Sequence, residues 1–213
     1  MNKKIIAVLM IVCLCVASTF AFGLGAGVKG NLGWNVGAGD SIVSSFSSID
    51  KNSAFDFGGG AYVYMSFLPF LGVQAEANLI SSSVTFSSVE TGDVQKYEQL
   101  LLDLTPMLWS VYDFWIFQLA FGVGPNFSIG LAQLGDITSA SWDQFTVGLG
   151  CGADFKIFFG EHFGLVLGGR FICEWNQTNV AVTVADYDTG ASYPEVSFYR
   201  RSFYGSVGVE LKI

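Results

Sequence analysis

Two long alternating segments, residues 99–111 and 117–130, constrain this chain more than any other feature. In the second, Phe117, Leu119, Phe121, Val123, Pro125, Phe127 and Ile129 fall on one face, and Gln118, Ala120, Gly122, Gly124, Asn126 and Ser128 on the other. A period of two marks a strand held between two different surroundings. Strands of soluble domains usually run about 5–6 residues, whereas a tilted strand needs roughly 9–11 to cross a bilayer. The second face is built of Gly, Ala, Ser and Asn, not the Lys, Glu and Thr that coat a water-exposed sheet. Small residues suit a narrow, crowded interior. The two segments therefore read as one hairpin of a transmembrane β-barrel, its turn placed at Tyr112, Asp113 and Phe114.

Composition points the same way. Charged residues make up 13% of the 213, about half the roughly 25% of soluble proteins. Mean hydropathy is +0.48, yet beyond the leader no apolar run approaches the roughly 18 residues or more of a spanning helix. Apolar residues must then be spread over alternating strands, and a sheet with open edges cannot face lipid, so it closes. The net charge of −8, or −10 without Lys3 and Lys4, excludes nucleic acid as a partner.

Residues 1–21 read as a cleavable secretory leader, with Lys3 and Lys4 before an apolar core and a Thr-Phe-Ala cleavage site. The barrel domain is expected over 22–213. Its first strand turns Leu24, Ala26, Val28, Leu32 and Trp34 outward, with Lys29, Asn31 and Asn35 inward. A Ser-rich loop spans 39–53. The next two strands put Phe55, Phe57, Val63 and Met65, then Val73, Ala75, Ala77 and Leu79, outside. Asp56, Tyr62 and Tyr64, then Gln74, Glu76 and Asn78, lie inside. A tight turn at 68–70 joins them. Long loops follow at 81–96, 131–143 and 176–194, and a short turn at 158–162. The strand from Phe145 turns Thr146, Asp154 and Lys156 inward, the next Arg170 and Glu174, and the last Tyr204, Ser206 and Glu210.

The expectation is eight antiparallel strands with long and short connections in strict alternation, the pattern of an up-and-down outer-membrane barrel. Aromatic residues gather where strands leave the lipid: Phe67, Phe70, Phe114, Trp115, Phe159 and Phe163 near the turns. Trp34, Phe55, Phe127, Trp142, Phe145 and Trp175 lie near the loops. Two such girdles are expected of a membrane barrel. The stretches LGVQAEA at 71–77, LLLDLTPMLW at 100–109, FGVGPNF at 121–127, GLGCGADF at 148–155 and YGSVGVELKI at 204–213 together resemble the small outer-membrane barrels of the OmpA transmembrane domain, OmpX and OmpW group. That resemblance implies a monomeric barrel in a bacterial outer membrane, exported through the periplasm. It also implies surrounding lipid as partner, and recognition of the C-terminal strand by the assembly machinery. The chain departs from the group in ending on Ile213 where such barrels usually end on Phe. The peptidoglycan-binding domain of full-length OmpA is not expected here.

The candidate site is a set of inward charges. Counted from the nearest turn or terminus, Lys29, Glu76, Asp103 and Arg170 lie at similar depth and should meet near mid-height in the lumen. Mutual pairing is the preferred reading, because a buried charge without a partner is very costly. A gate whose rearrangement opens a narrow path is the alternative. Cys151 and Cys173 share outward parity on neighbouring strands. Free thiols facing lipid are preferred, a cross-strand disulfide being the alternative. No metal site is expected, since no histidine accompanies the cysteines. His162 sits alone in a turn, so no catalytic triad and no cofactor is expected either. Two functions stay open: a structural barrel presenting four long loops to an extracellular ligand or host surface, or a narrow OmpW-like channel for small solutes, gated by the lumen charges. Eight strands leave an interior just wide enough for side chains, which excludes a wide porin.

Overall fold

Alternation of this length closes into a barrel in the computed structural model, which describes residues 23–35, 38–42, 49–68, 70–88, 94–134, 145–181 and 195–213. The expected leader at 1–21, Trp142 and most of the long connections lie outside the described residues. The strands are β1 (Gly23–Asn35), β2 (Ala38–Ile42), β3 (Ile49–Leu68), β4 (Leu71–Ser88), β5 (Val94–Phe114), β6 (Phe117–Gln133), β7 (Phe145–Phe159), β8 (Phe163–Ala181) and β9 (Glu195–Lys212). Neighbours along the chain pair antiparallel from β3 to β9, and β1 pairs with both β3 and β9, closing the ring. β2 pairs with β9 beyond the end of β1, with Ile42 opposite Val196 where β1 ends with Asn35 opposite Ser202. It continues the line of β1 along the wall, so the ring has eight strand positions, as the alternation implied.

The strands run further toward the loop end than the sequence reading placed them. β4 continues to Ser88, β5 begins at Val94, and β8 continues to Ala181. Serine and threonine made these stretches look like loops, but the continuous β4–β5 ladder from Leu71–Ser110 to Ser87–Val94 supplies backbone partners that composition does not reveal. β5, at 21 residues, is about twice what crossing a bilayer requires. A strand of that length would carry the wall past a bilayer on the loop side, where Lys96 and Glu98 pair at 2.7 Å on its surface. Below, outward side chains such as Val28, Leu32, Val63, Leu108, Phe121, Val207 and Leu211 are exposed and apolar, which fits a lipid-facing belt.

The turns differ from expectation in one place. β5 runs through Tyr112, Asp113 and Phe114, and the reversal falls on Trp115 and Ile116. Trp115 takes a left-handed φ of 48° and is 99% exposed. Phe114 and Phe117 close the hairpin as an opposed pair with ring centroids 5.1 Å apart. The aromatic run had looked like the turn because it lacks alternation, but each ring serves the girdle. At the β7–β8 reversal Gly160 takes φ 79°, a conformation that glycine adopts without strain. The β5–β6 ladder skips from Leu104–Phe127 to Leu108–Val123. Pro106 and Pro125 fall opposite each other in that gap, and neither has an amide hydrogen to offer.

Candidate functional site: charge tiers across the lumen

Among the described residues, inward parity buries ten ionisable side chains in the lumen: Lys29, Lys156, Arg170 and Arg200 against Asp56, Glu76, Asp103, Asp154, Glu174 and Glu210. They sort into three tiers. Nearest the turns, Lys156 binds Glu210 at 2.7 Å, and the Tyr62 hydroxyl donates to the same Glu210 oxygen at 2.6 Å. Lys156 also lies 4.6 Å from the Tyr64 ring centroid, a cation–π contact.

The middle tier centres on Glu76. Lys29 from β1 donates to Oε1, and Arg170 from β8 donates through Nε to Oε2 at 3.0 Å. Asn78 adds a third donor at 2.7 Å and Gln74 a fourth at 3.2 Å. Arg170 reaches back to Asp154 with a two-pronged contact of 2.6 and 3.0 Å, the strong geometry for a guanidinium. The Trp109 ring covers its other side, 5.0 Å from Cζ to the ring centroid.

The upper tier, nearer the loops, is built on Arg200. It grips Asp103 with two bonds of 3.0 and 2.9 Å, donates to Glu174 at 3.0 Å, and touches the Tyr204 hydroxyl. Ser128 donates to Asp103 at 2.6 Å, and Asn126 ties Ser128 to Thr105. Ser202, itself 3.2 Å from Arg200 Nε, donates to Asp56 at 2.7 Å.

Of the four residues named from sequence, the structure brings Lys29, Glu76 and Arg170 together. Asp103 belongs to the tier above, with Arg200. Counting from turns treats strands as level, but tilt and stagger shift heights around a barrel. Asp103 stands opposite Asn78, not Glu76. Arg200 was missed because only the closing residues of the last strand, Tyr204, Ser206 and Glu210 on its inward face, were assigned. Its parity with Ser202 and Tyr204 was the signal available. Asp154, Lys156, Glu174 and Glu210 had been read as inward but not as members of the network.

Glycine makes room for these large side chains. A Cβ on Gly122 would fall against the Trp109 ring, and one on Gly152 against the Arg170 guanidinium. Gly122→Leu is accordingly expected to destabilise the refolded barrel by about 1–3 kcal/mol, as overpacking does, measured by its unfolding midpoint in urea.

Cys151 and Cys173 are both free. Cys151 stands opposite Phe171 and Cys173 opposite Leu149, so the thiols are offset by two rungs. A reductant is expected to leave both the gel mobility and the unfolding midpoint unchanged. His162 lies exposed in the β7–β8 turn, its Nδ1 3.1 Å from the Lys212 carbonyl oxygen.

No protein-family model and no characterised protein matches the sequence. The fold is similar to that of the outer membrane protein OprG from Pseudomonas aeruginosa, with a TM-score of 0.68 at 14% identity, over 90% of this chain and 95% of that one. Weaker likenesses are to Ail of Yersinia pestis, with a TM-score of 0.46 at 8% identity over 91% of this chain and 100% of that one. For AlkL the TM-score is 0.45 at 14% identity, over 90% of each chain. The chain thus has the fold of a small closed β-barrel, shared with OprG.

Proposed function

We propose that this protein is an integral barrel of a bacterial outer membrane whose lumen is closed, and which acts through its surface. The observation that carries the reading is the middle tier. Glu76 holds Lys29 on one oxygen and Arg170 on the other, Arg170 holds Asp154, and all four side chains are buried, none more than 5% exposed. With a balanced tier below and Arg200 bridging carboxylates above, a solute would have to break ion pairs at three heights. Buried pairs that lose a partner leave an uncompensated charge, at a loss of roughly 3–5 kcal/mol each.

Function then concentrates on the outer loops, which a rigid wall holds clear of the bilayer. The segments 43–48, 89–93, 135–144 and 182–194 are rich in Ser, Thr and acidic residues. They are the natural contact for an extracellular ligand or host surface. Lipid surrounds the belt, the alternating tail Val207, Val209, Leu211 is the feature for the assembly machinery, and a monomer suffices. The leader 1–21 directs export. The channel reading requires the three tiers to rearrange together, and no step in the proposed role is catalytic.

Uptake of small solutes separates the two. Liposomes carrying the refolded protein are expected to swell in isosmotic arabinose no faster than empty ones. Swelling at porin-like rates would replace this reading with the channel.

A further inference from the structure

The three tiers are not equally balanced. The lower pairs one cation with one carboxylate, and the middle pairs Lys29 and Arg170 with Glu76 and Asp154. The upper, among the described residues, sets Arg200 against Asp103, Glu174 and Asp56. Asp103 and Glu174 share the guanidinium. Asp56 does not: among the described residues it makes no ion pair. Its Oδ2 takes the Ser202 hydroxyl at 2.7 Å, and its Oδ1 has no hydrogen-bond partner although the residue is 0% exposed. A fully buried carboxylate in that state is among the costliest arrangements a protein can hold.

The remaining chain offers little to answer it. The segments 43–48, 89–93, 135–144 and 182–194 contain no lysine, arginine or histidine, yet carry Glu90, Asp93, Asp136, Asp143, Asp186 and Asp188. Lys96 is committed to Glu98, and Arg201 has the outward parity of Phe203 and is exposed. Lys51 stands further along β3, at the rung of Phe86, whereas Asp56 stands at the rung of Ser82. The loop end therefore draws cations from solution, and the first tier below it holds three carboxylates against one guanidinium.

We propose that the upper lumen binds a monovalent cation at Asp56, either an alkali ion or the ammonium head of an amine. The surroundings favour single charge. No group of three metal-holding side chains occurs among the described residues, so the many-carboxylate cage of a calcium site is not formed. The neighbouring oxygens are neutral hydroxyls: that of Ser202, which donates to Asp56, and that of Ser82, which stands opposite Asp56 on the same rung, 3.5 Å from the Asn35 amide nitrogen. The site stands independently of whether the barrel conducts.

Crystals of the refolded protein soaked in thallium chloride test it, alongside thermal unfolding in potassium chloride and in N-methylglucamine chloride at equal ionic strength. The expected result is an anomalous peak within ligand distance of Asp56 Oδ1, and a midpoint several degrees higher in potassium. That difference disappears in Asp56→Asn, which keeps the side-chain shape. A larger rise with methylammonium than with potassium identifies the occupant as an amine. Absence of the peak, a midpoint indifferent to the cation, or an undiminished response in Asp56→Asn overturns the proposal. So does a midpoint that follows pH alone, since a proton would then be the neutralising charge. Should Asp56→Asn not refold, the anomalous map of the unaltered protein decides.

Discussion

Replacing Arg200 by alanine is expected to destabilise the folded barrel more than any other single substitution, by at least about 3–5 kcal/mol, the loss typical of a buried ion pair deprived of one partner. The reason is local. Asp103 and Glu174 both depend on this one guanidinium, with Asp56 close by, so its removal leaves three buried carboxylates without their cationic side chain. Arg200→Lys should recover only part of the loss, because an ammonium cannot make the two-pronged contact with Asp103 and still reach Glu174. The unfolding midpoint in urea, read by the heat-modifiable gel shift, provides the measure. An Arg200→Ala barrel within about 1 kcal/mol of the parent would mean that the upper tier is hydrated, not a dry ion-pair cluster.

The second large effect is expected at Arg170, which joins β8 to both β4 and β7 through Glu76 and Asp154. Arg170→Ala leaves Asp154 unpaired, while Glu76 keeps Lys29, Asn78 and Gln74, so the loss should again be about 3–5 kcal/mol but smaller than at Arg200. The informative experiment is a double-mutant cycle with Asp154→Asn. A coupling of about 0.5–3 kcal/mol is expected for groups in direct contact. Strict additivity would show that Arg170 acts through its stacking on Trp109 and not through its carboxylate partners.

Much of this architecture was legible because a membrane barrel imposes a two-residue rule over its whole length. Each strand's inward and outward sets follow from parity once a single anchor such as Phe121 or Asp154 is placed, and the buried and exposed residues of β6 and β7 alternate accordingly. Parity does not carry height. Asp103 looked level with Glu76 when counted along its own strand, but the stagger of the β4–β5 ladder sets it opposite Asn78. Strand ends were also hidden, because residues 81–88 carry the serines of a loop while their hydrogen bonds belong to a wall. The glycines held a further clue. Gly122 was read among the small residues of a crowded interior, but only the structure shows that it and Gly152 are each small for the sake of one large neighbour, Trp109 and Arg170.

The central claim is that ion pairs seal the lumen, and single-channel recording of the refolded mature protein in a planar bilayer tests it most directly. A heat-dependent gel shift establishes beforehand that the sample is folded. The expected result is a folded barrel that is electrically silent in 1 M KCl, with openings first appearing when Arg170 is replaced by alanine. Discrete, regular openings of the unaltered protein would contradict the claim and identify the lumen as a channel.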